Sequence, residues 1–204
     1  MMRESASVKR IAVLVSGGGT NLQALLDAQD HGLLRSGRIV LVVSNNSSAY
    51  ALERAARAEV RSAVLRGSGF EHDLEALLNK EEIDLIVLAG FMRILSPEFT
   101  KRHDRRILNI HPALIPSFCG KGYYGLHVHE AALARGVKLT GATVHFVNEI
   151  PDGGEIIMQK AVEVLPDDTP ERLQKRVMEQ AEWVILPQAV ELVSRDLVLR
   201  GEQR

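Results

Sequence analysis

Asn109 and His111 stand two residues apart at the end of the apolar stretch Ile107-Leu108-Asn109-Ile110-His111, just before Pro112-Ala113-Leu114-Ile115-Pro116. On an extended backbone alternate side chains leave the same face, so an amide and an imidazole project together while Ile110 points into the core. Pro112 stiffens the exit and biases His111 towards extended geometry. A neutral hydrogen-bonding amide beside a group that titrates near neutrality suits acyl or formyl transfer, where charge grows on oxygen and protons move. The competing reading is a strand-end histidine that only caps a loop.

The elements that must position this pair follow from periodicity. Residues 11–15 form a continuous apolar run, as in a central parallel strand covered on both faces. Ser16-Gly17-Gly18-Gly19-Thr20-Asn21 follows, then a helical pattern at Leu22, Leu25 and Leu26. Strand, glycine loop and helix aim backbone N–H groups at an anion. The loop has no P-loop lysine, and Leu22 occupies the third glycine position of G-x-G-x-x-G. No acidic residue follows the second strand, 39–43, where Ser44-Asn45-Asn46 stands instead of the carboxylate that a dinucleotide ribose needs. The loop therefore reads as a seat for one phosphate, with a plain tight turn as the alternative.

Further along, 49–58 reads as a helix rich in Ala and Arg, 62–65 as a short strand, and Leu74, Leu77 and Leu78 as a helix face. Residues 83–88 form the fourth strand, and Ser96-Pro97-Glu98 opens a helix with Ser as cap and Pro at the first helical position. Residues 107–110 form the fifth strand. This alternation predicts an α/β fold: an open, mostly parallel Rossmann-like sheet with helices on both faces. In such sheets ligands bind beyond the carboxyl ends of the strands, where the glycine loop, Met92-Arg93 and Asn109/His111 all fall. Residues 112–127 make a long glycine-bearing loop, a length usually tied to function. A helix over 128–135 precedes strands over 142–146 and 156–164. The turn Pro151-Asp152-Gly153-Gly154 marks these two strands as an antiparallel hairpin extending the sheet. Thr169-Pro170-Glu171 caps a long final helix with Leu173, Val177, Ala181 and Val184 on one face, which Pro187 should kink or divide.

Composition excludes several classes. The 204 residues are 46% hydrophobic and 25% charged, enough for a full core, and over 1–204 fit one domain, or one domain with an extension. A net charge of −1 gives no basic field for nucleic acid, and 4% aromatics give no base-stacking platform. The only cysteine, Cys119, rules out an intrachain disulfide and fits a reducing cytoplasm. No run approaches a membrane span or a secretory signal, so no membrane association is expected.

The segments V-S-G-G-G-T-N-L-Q, L-A-G-F-M-R-I-L-S, N-I-H-P-A-L-I-P, G-A-T-V-H-F-V and D-G-G, in this order, resemble the phosphoribosylglycinamide formyltransferase family from about Val8 to Leu192. The resemblance implies a cytoplasmic enzyme of purine synthesis. It would move a formyl group from the co-substrate N10-formyltetrahydrofolate to glycinamide ribonucleotide, without a metal, as a monomer or homodimer. It further implies Asn109, His111 and Asp152 as the catalytic set. Asn109 and a protonated His111 would donate to the oxyanion, while Asp152 would raise the imidazole pKa and hold a water that relays the amine proton. Gly18, Gly19, Thr20 and Asn21 match the family's phosphate loop, and Glu182 its contact to the substrate ribose. Met92, Arg93, Ile94 and Leu95 match the folate site, whose other wall would be residues 147–151 with Asn148, followed by Asp152. Alone, Asp152 reads as a turn residue, Glu182 as a solvated carboxylate and Met-Arg-Ile-Leu as ordinary core. His145 lines the site by the family pattern and otherwise reads as a core histidine. His127 and His129 lack the acidic or cysteine partners of a metal site.

Three departures stand out. The loop 117–124 is longer than in the shortest relatives, Arg66 is out of register with an arginine that meets the folate tail, and Trp183 replaces a common histidine after Glu182. Rival readings are formyltetrahydrofolate deformylase, methionyl-tRNA formyltransferase and a non-catalytic nucleotide-binding module on the same fold. The first carries an additional N-terminal domain and the second a C-terminal nucleic-acid-binding domain. Here only a short run precedes Ile11, and no basic field appears.

Overall fold

The computed structural model describes residues 8–201, so the ends of the 1–204 domain reading lie outside the described residues. Cα packing divides them into two compact units, 8–92 with 187–201 and 93–186. Among the described residues seven strands, β1 (Lys9–Val15), β2 (Gly37–Ser44), β3 (Arg61–Val64), β4 (Leu85–Leu88), β5 (Ile107–His111), β6 (Leu139–Phe146) and β7 (Ile156–Glu163), follow the order β3-β2-β1-β4-β5-β6-β7 in an open, mixed, mostly parallel sheet.

The first unit alternates β1 (Lys9–Val15), α1 (Thr20–Asp30), β2 (Gly37–Ser44), α2 (Ala51–Arg57), β3 (Arg61–Val64), α3 (Phe70–Lys80) and β4 (Leu85–Leu88). β1 pairs in parallel with β2 and β4, and β2 with β3. The apolar run Ile11–Val15 is fully buried, as a strand covered on both faces requires. From Pro187 onward the C-terminal helix belongs to this unit. There Glu191 accepts from the backbone N–H groups of Arg35 and Ser36, at 2.8 and 2.9 Å, and so ties that helix to the approach to β2.

The second unit holds α4 (Pro97–Arg102), β5 (Ile107–His111), α5 (Leu126–Arg135), β6 (Leu139–Phe146), β7 (Ile156–Glu163) and α6 (Pro170–Val177). The expected caps form: Ser96 Oγ accepts from Phe99 N at 3.1 Å and Thr169 Oγ1 from Arg172 N at 3.3 Å. The antiparallel extension is wider than the hairpin expected, because β5 also runs antiparallel to β6.

The final helix departs from its expected form. A π-helical stretch, Met178–Glu182, separates α6 from α7 (Trp183–Leu199), and Pro187 lies inside α7. A π turn inserts one residue and rotates the face that follows by about 100°. Leu173, Val177 and Ala181 are buried as anticipated, but Ile185, at 3% exposure, takes the place predicted for Val184. Among the described residues no helix is long and apolar enough to cross a membrane.

Candidate active site

Strand pairing sets the site in the second unit. Asn109 faces His145 across the β5–β6 ladder, and His111 faces Thr143. The Asn109 Nδ2 group lies 3.2 Å from His145 Nε2. His145 Nδ1 lies 2.8 Å from the Phe146 carbonyl, which can only accept, so Nδ1 carries a proton and the ring is fixed in place. The partly buried Asn109 is thereby oriented by its cross-strand neighbour.

Asp152 reaches the pair from the β6–β7 connection. It has φ +56°, a left-handed conformation uncommon outside glycine. The turn that holds it is closed by Gly153 N donating to Ile150 O at 2.9 Å. Asn148 braces it from both sides, accepting from Ile150 N at 3.0 Å and donating to Gly153 O at 3.3 Å. Gly154 has no alternative, since a Cβ there would fall 1.7 Å from the Phe146 oxygen. The result is a carboxylate aimed at three groups. Oδ1 lies 3.5 Å from both Asn109 Nδ2 and His145 Nε2, and Oδ2 lies 3.5 Å from His111 Nδ1.

The long loop supplies two further contacts, both from its backbone. The Phe118 carbonyl lies 2.8 Å from His111 Nε2, and Gly120 N donates to Asp152 Oδ2 at 2.8 Å. Thr143 Oγ1 anchors the loop's start, donating to Ala113 O at 2.7 Å and accepting from Ile115 N at 3.1 Å. Gln159 joins it by donating to Ile115 O at 3.0 Å. None of these groups was singled out from sequence. Backbone carbonyls and amides carry no residue-type signal, and Thr143 and Gln159 face the loop only through strand register.

The electrostatics correct one expectation. Burial holds the His111 pKa below its ordinary value, outweighing the upward pull of Asp152 and the Phe118 carbonyl. Asp152 acts in the direction expected, but the ring is buried, at 4% exposure, and the net shift is downward. For Asp152, burial pushes the pKa up. The contacts from His145, His111 and Gly120 together outweigh it, and the carboxyl is held below its usual value.

The other expected residues are placed as follows. Glu182 ends the π-helical stretch of the second unit and is 6% exposed, a buried carboxylate rather than a solvated one. Met92 and Ile94 are exposed at 57% and 78%, whereas Leu95 is core. In the first unit the glycine loop leads from β1 into α1. Gly19 is the N-cap with φ +71°, no side chain caps the helix, and no acidic residue occupies its first turn. A helix start with neither a side-chain cap nor a first-turn acid is electrostatically suited to an anion. Among the described residues no group of three or more His, Cys, Asp or Glu side chains could hold a metal ion.

Comparison with known proteins fits this arrangement. The formyl transferase family pattern matches residues 9–190. Over 186 residues the chain is 44% identical to phosphoribosylglycinamide formyltransferase of Haemophilus influenzae, spanning 88% of this chain and 84% of that one. It is 42% identical over 199 residues to the trifunctional purine biosynthetic protein adenosine-3 of Homo sapiens, covering 95% of this chain and 19% of that protein. Glycinamide ribonucleotide transformylase 1 from Symbiobacterium toebii superposes with a TM-score of 0.86 at 40% identity, over 95% of this chain and 90% of that one.

Proposed function

The chain belongs to the phosphoribosylglycinamide formyltransferase family, and from that premise we propose how it transfers the formyl group of N10-formyltetrahydrofolate to the amine of glycinamide ribonucleotide in purine biosynthesis. The observation that carries the reading is the meeting of Asn109, His111 and Asp152 within 3.5 Å contacts inside one unit.

The amine nitrogen attacks the formyl carbon, and the carbonyl pair moves onto oxygen. Free α-amines titrate near ~8, so a usable fraction is neutral at physiological pH. Asn109, held 3.2 Å from His145 and with a long contact to Asp152, directs an amide hydrogen to the oxyanion. His111 is neutral at rest and takes up the proton that the amine sheds. The imidazolium formed finds an acceptor at each nitrogen, Asp152 Oδ2 and the Phe118 carbonyl. That proton passes to N10 of the folate as the C–N10 bond breaks, directly or through a water held by Asp152. Tetrahydrofolate and formylglycinamide ribonucleotide leave.

Gly18, Gly19, Thr20 and Asn21 seat the substrate phosphate, supported by the uncapped start of α1. Glu182 binds the ribose hydroxyls. The run Met92–Leu95, together with Asn148 and Asp152, takes the folate, with the exposed Met92 and Ile94 side chains as its apolar cover. The single Cys119 suits a reducing compartment, and we assign the reaction to the cytoplasm. An absorbance assay of formyl donor consumption, run with and without glycinamide ribonucleotide, tests the function. Consumption that requires the amine is expected. Equal consumption in its absence would make the enzyme a hydrolase.

A further inference from the structure

The geometry points to Arg54, on α2, as a positioning residue that turns the amides of the glycine loop towards the substrate phosphate; this rests on the reading of that loop as the phosphate seat. Its side chain is committed on three sides. Nε donates to the Gly18 carbonyl at 2.8 Å, Nη1 donates to Gln23 Oε1 at 2.9 Å, and the guanidinium lies 5.1 Å from the centre of the Tyr50 ring. Gln23 is itself fixed on α1 by donating to Asp27 Oδ1 at 2.8 Å. This guanidinium is therefore preorganised rather than a solvated surface cation.

What it fixes is peptide orientation. In a trans peptide the C=O and the following N–H point in opposite directions. The only cis bond among the described residues is Ile115–Pro116, so the loop peptides are trans. Ala51 N donates to the Gly17 carbonyl at 3.1 Å, which turns the Gly18 N–H away from α2. Arg54 does the same one peptide later: it holds the Gly18 carbonyl and so turns the Gly19 N–H away from α2. The loop is pressed against that helix, since a Cβ on Gly19 would lie 2.6 Å from Ala51 Cβ. Two successive loop carbonyls, of Gly17 and Gly18, are thus satisfied by α2. The N–H groups of Gly18 and Gly19 face the other way and lead into the start of α1, which no side chain caps. Without Arg54 the Gly18–Gly19 peptide is free to flip, and its carbonyl would then repel a phosphate. The charge of Arg54 also offsets the partial negative charge of that carbonyl beside the seat.

Steady-state kinetics and inhibition by inorganic phosphate test this. Arg54→Met should raise KM for glycinamide ribonucleotide about tenfold, the scale of one lost charge-assisted hydrogen bond. The inhibition constant of inorganic phosphate should weaken by a similar factor, and KM for the formyl donor should stay put. Arg54→Lys, which keeps a cationic donor but not the fork, should fall between wild type and Arg54→Met. If Arg54→Met does not fold, Arg54→Lys alone decides, with a several-fold loss confined to the ribonucleotide and to phosphate as the supporting result. Ribonucleotide and phosphate constants within twofold of wild type would overturn the role. So would equal rises in KM for both substrates with a lower Tm, which mark general structural damage. Wild-type enzyme whose ribonucleotide use is not competed by phosphate would instead remove the phosphate seat, and the role of Arg54 with it.

Discussion

His111 sits between two acceptors, a carboxylate and a backbone carbonyl, yet its burial keeps the ring neutral at rest. Those opposing influences suit a group that must gain a proton in one step and lose it in the next. Asp152 favours the charged ring, so removing its charge lowers the His111 pKa further. Neutral His111 is the form that accepts the amine proton, and activity should rise with pH through the His111 pKa. Asp152→Asn should therefore move the acidic limb of the kcat profile to lower pH, with a reduced plateau. A limb that stays in place, measured across the same buffers, would show that Asp152 does not tune the imidazole. The pairing of Asn109 with His111 was legible from their spacing. The orienting role of His145 was not, because facing Asn109 is a property of the β5–β6 register.

Among the elements, the glycine loop and α2 meet through small side chains. Gly19 combines φ +71° with a backbone approach that leaves no room for a Cβ against Ala51. Gly19→Ala should therefore destabilise the protein by roughly 1–3 kcal/mol and raise KM for the ribonucleotide, as overpacking and left-handed strain together require. Adding Ala51→Gly removes the clash but not the strain, so denaturant unfolding should show partial recovery in the double variant. No recovery would place the damage elsewhere. The glycines and the helix start were visible in the sequence as strand–loop–helix. The reason for the third glycine was not, since it lies in a contact with a helix over thirty residues on. The π-helical stretch was equally hidden. An inserted residue leaves composition and capping unchanged, and only the burial of Ile185 in place of Val184 reveals it.

On the scale of the whole molecule, His129 ties stability to acid pH. His129 is fully buried and neither ring nitrogen has a hydrogen-bond partner among the described residues. Burial, with a smaller contribution from His111, lowers its pKa from 6.5 to about 4. The unfolded chain binds this proton below about 6.5 and the folded one only near 4, so acidification across that window favours unfolding. The loss amounts to roughly 3 kcal/mol at the low end. His129→Leu should remove most of that dependence, read as a smaller difference in urea-unfolding free energy between neutral and acidic buffer. The lowered pKa of His111 leaves a residual slope in the same window, and Asp152 acts only at lower pH. An unchanged difference in the variant would mean that His129 is not kept neutral by the fold. The mostly parallel α/β class was legible from alternating periodicities. That β5 itself belongs to the antiparallel part was not, because pairing direction leaves no mark on an apolar run as short as Ile107–His111.

The most direct test of the account is turnover by His111→Ala, with glycinamide ribonucleotide and formyl donor both varied. The chemistry assigned to the imidazole predicts a fall in kcat of at least ~10²-fold, the usual scale for a lost acid–base group, with KM for both substrates little changed. Turnover within a few-fold of wild type would contradict it and remove His111 from the mechanism.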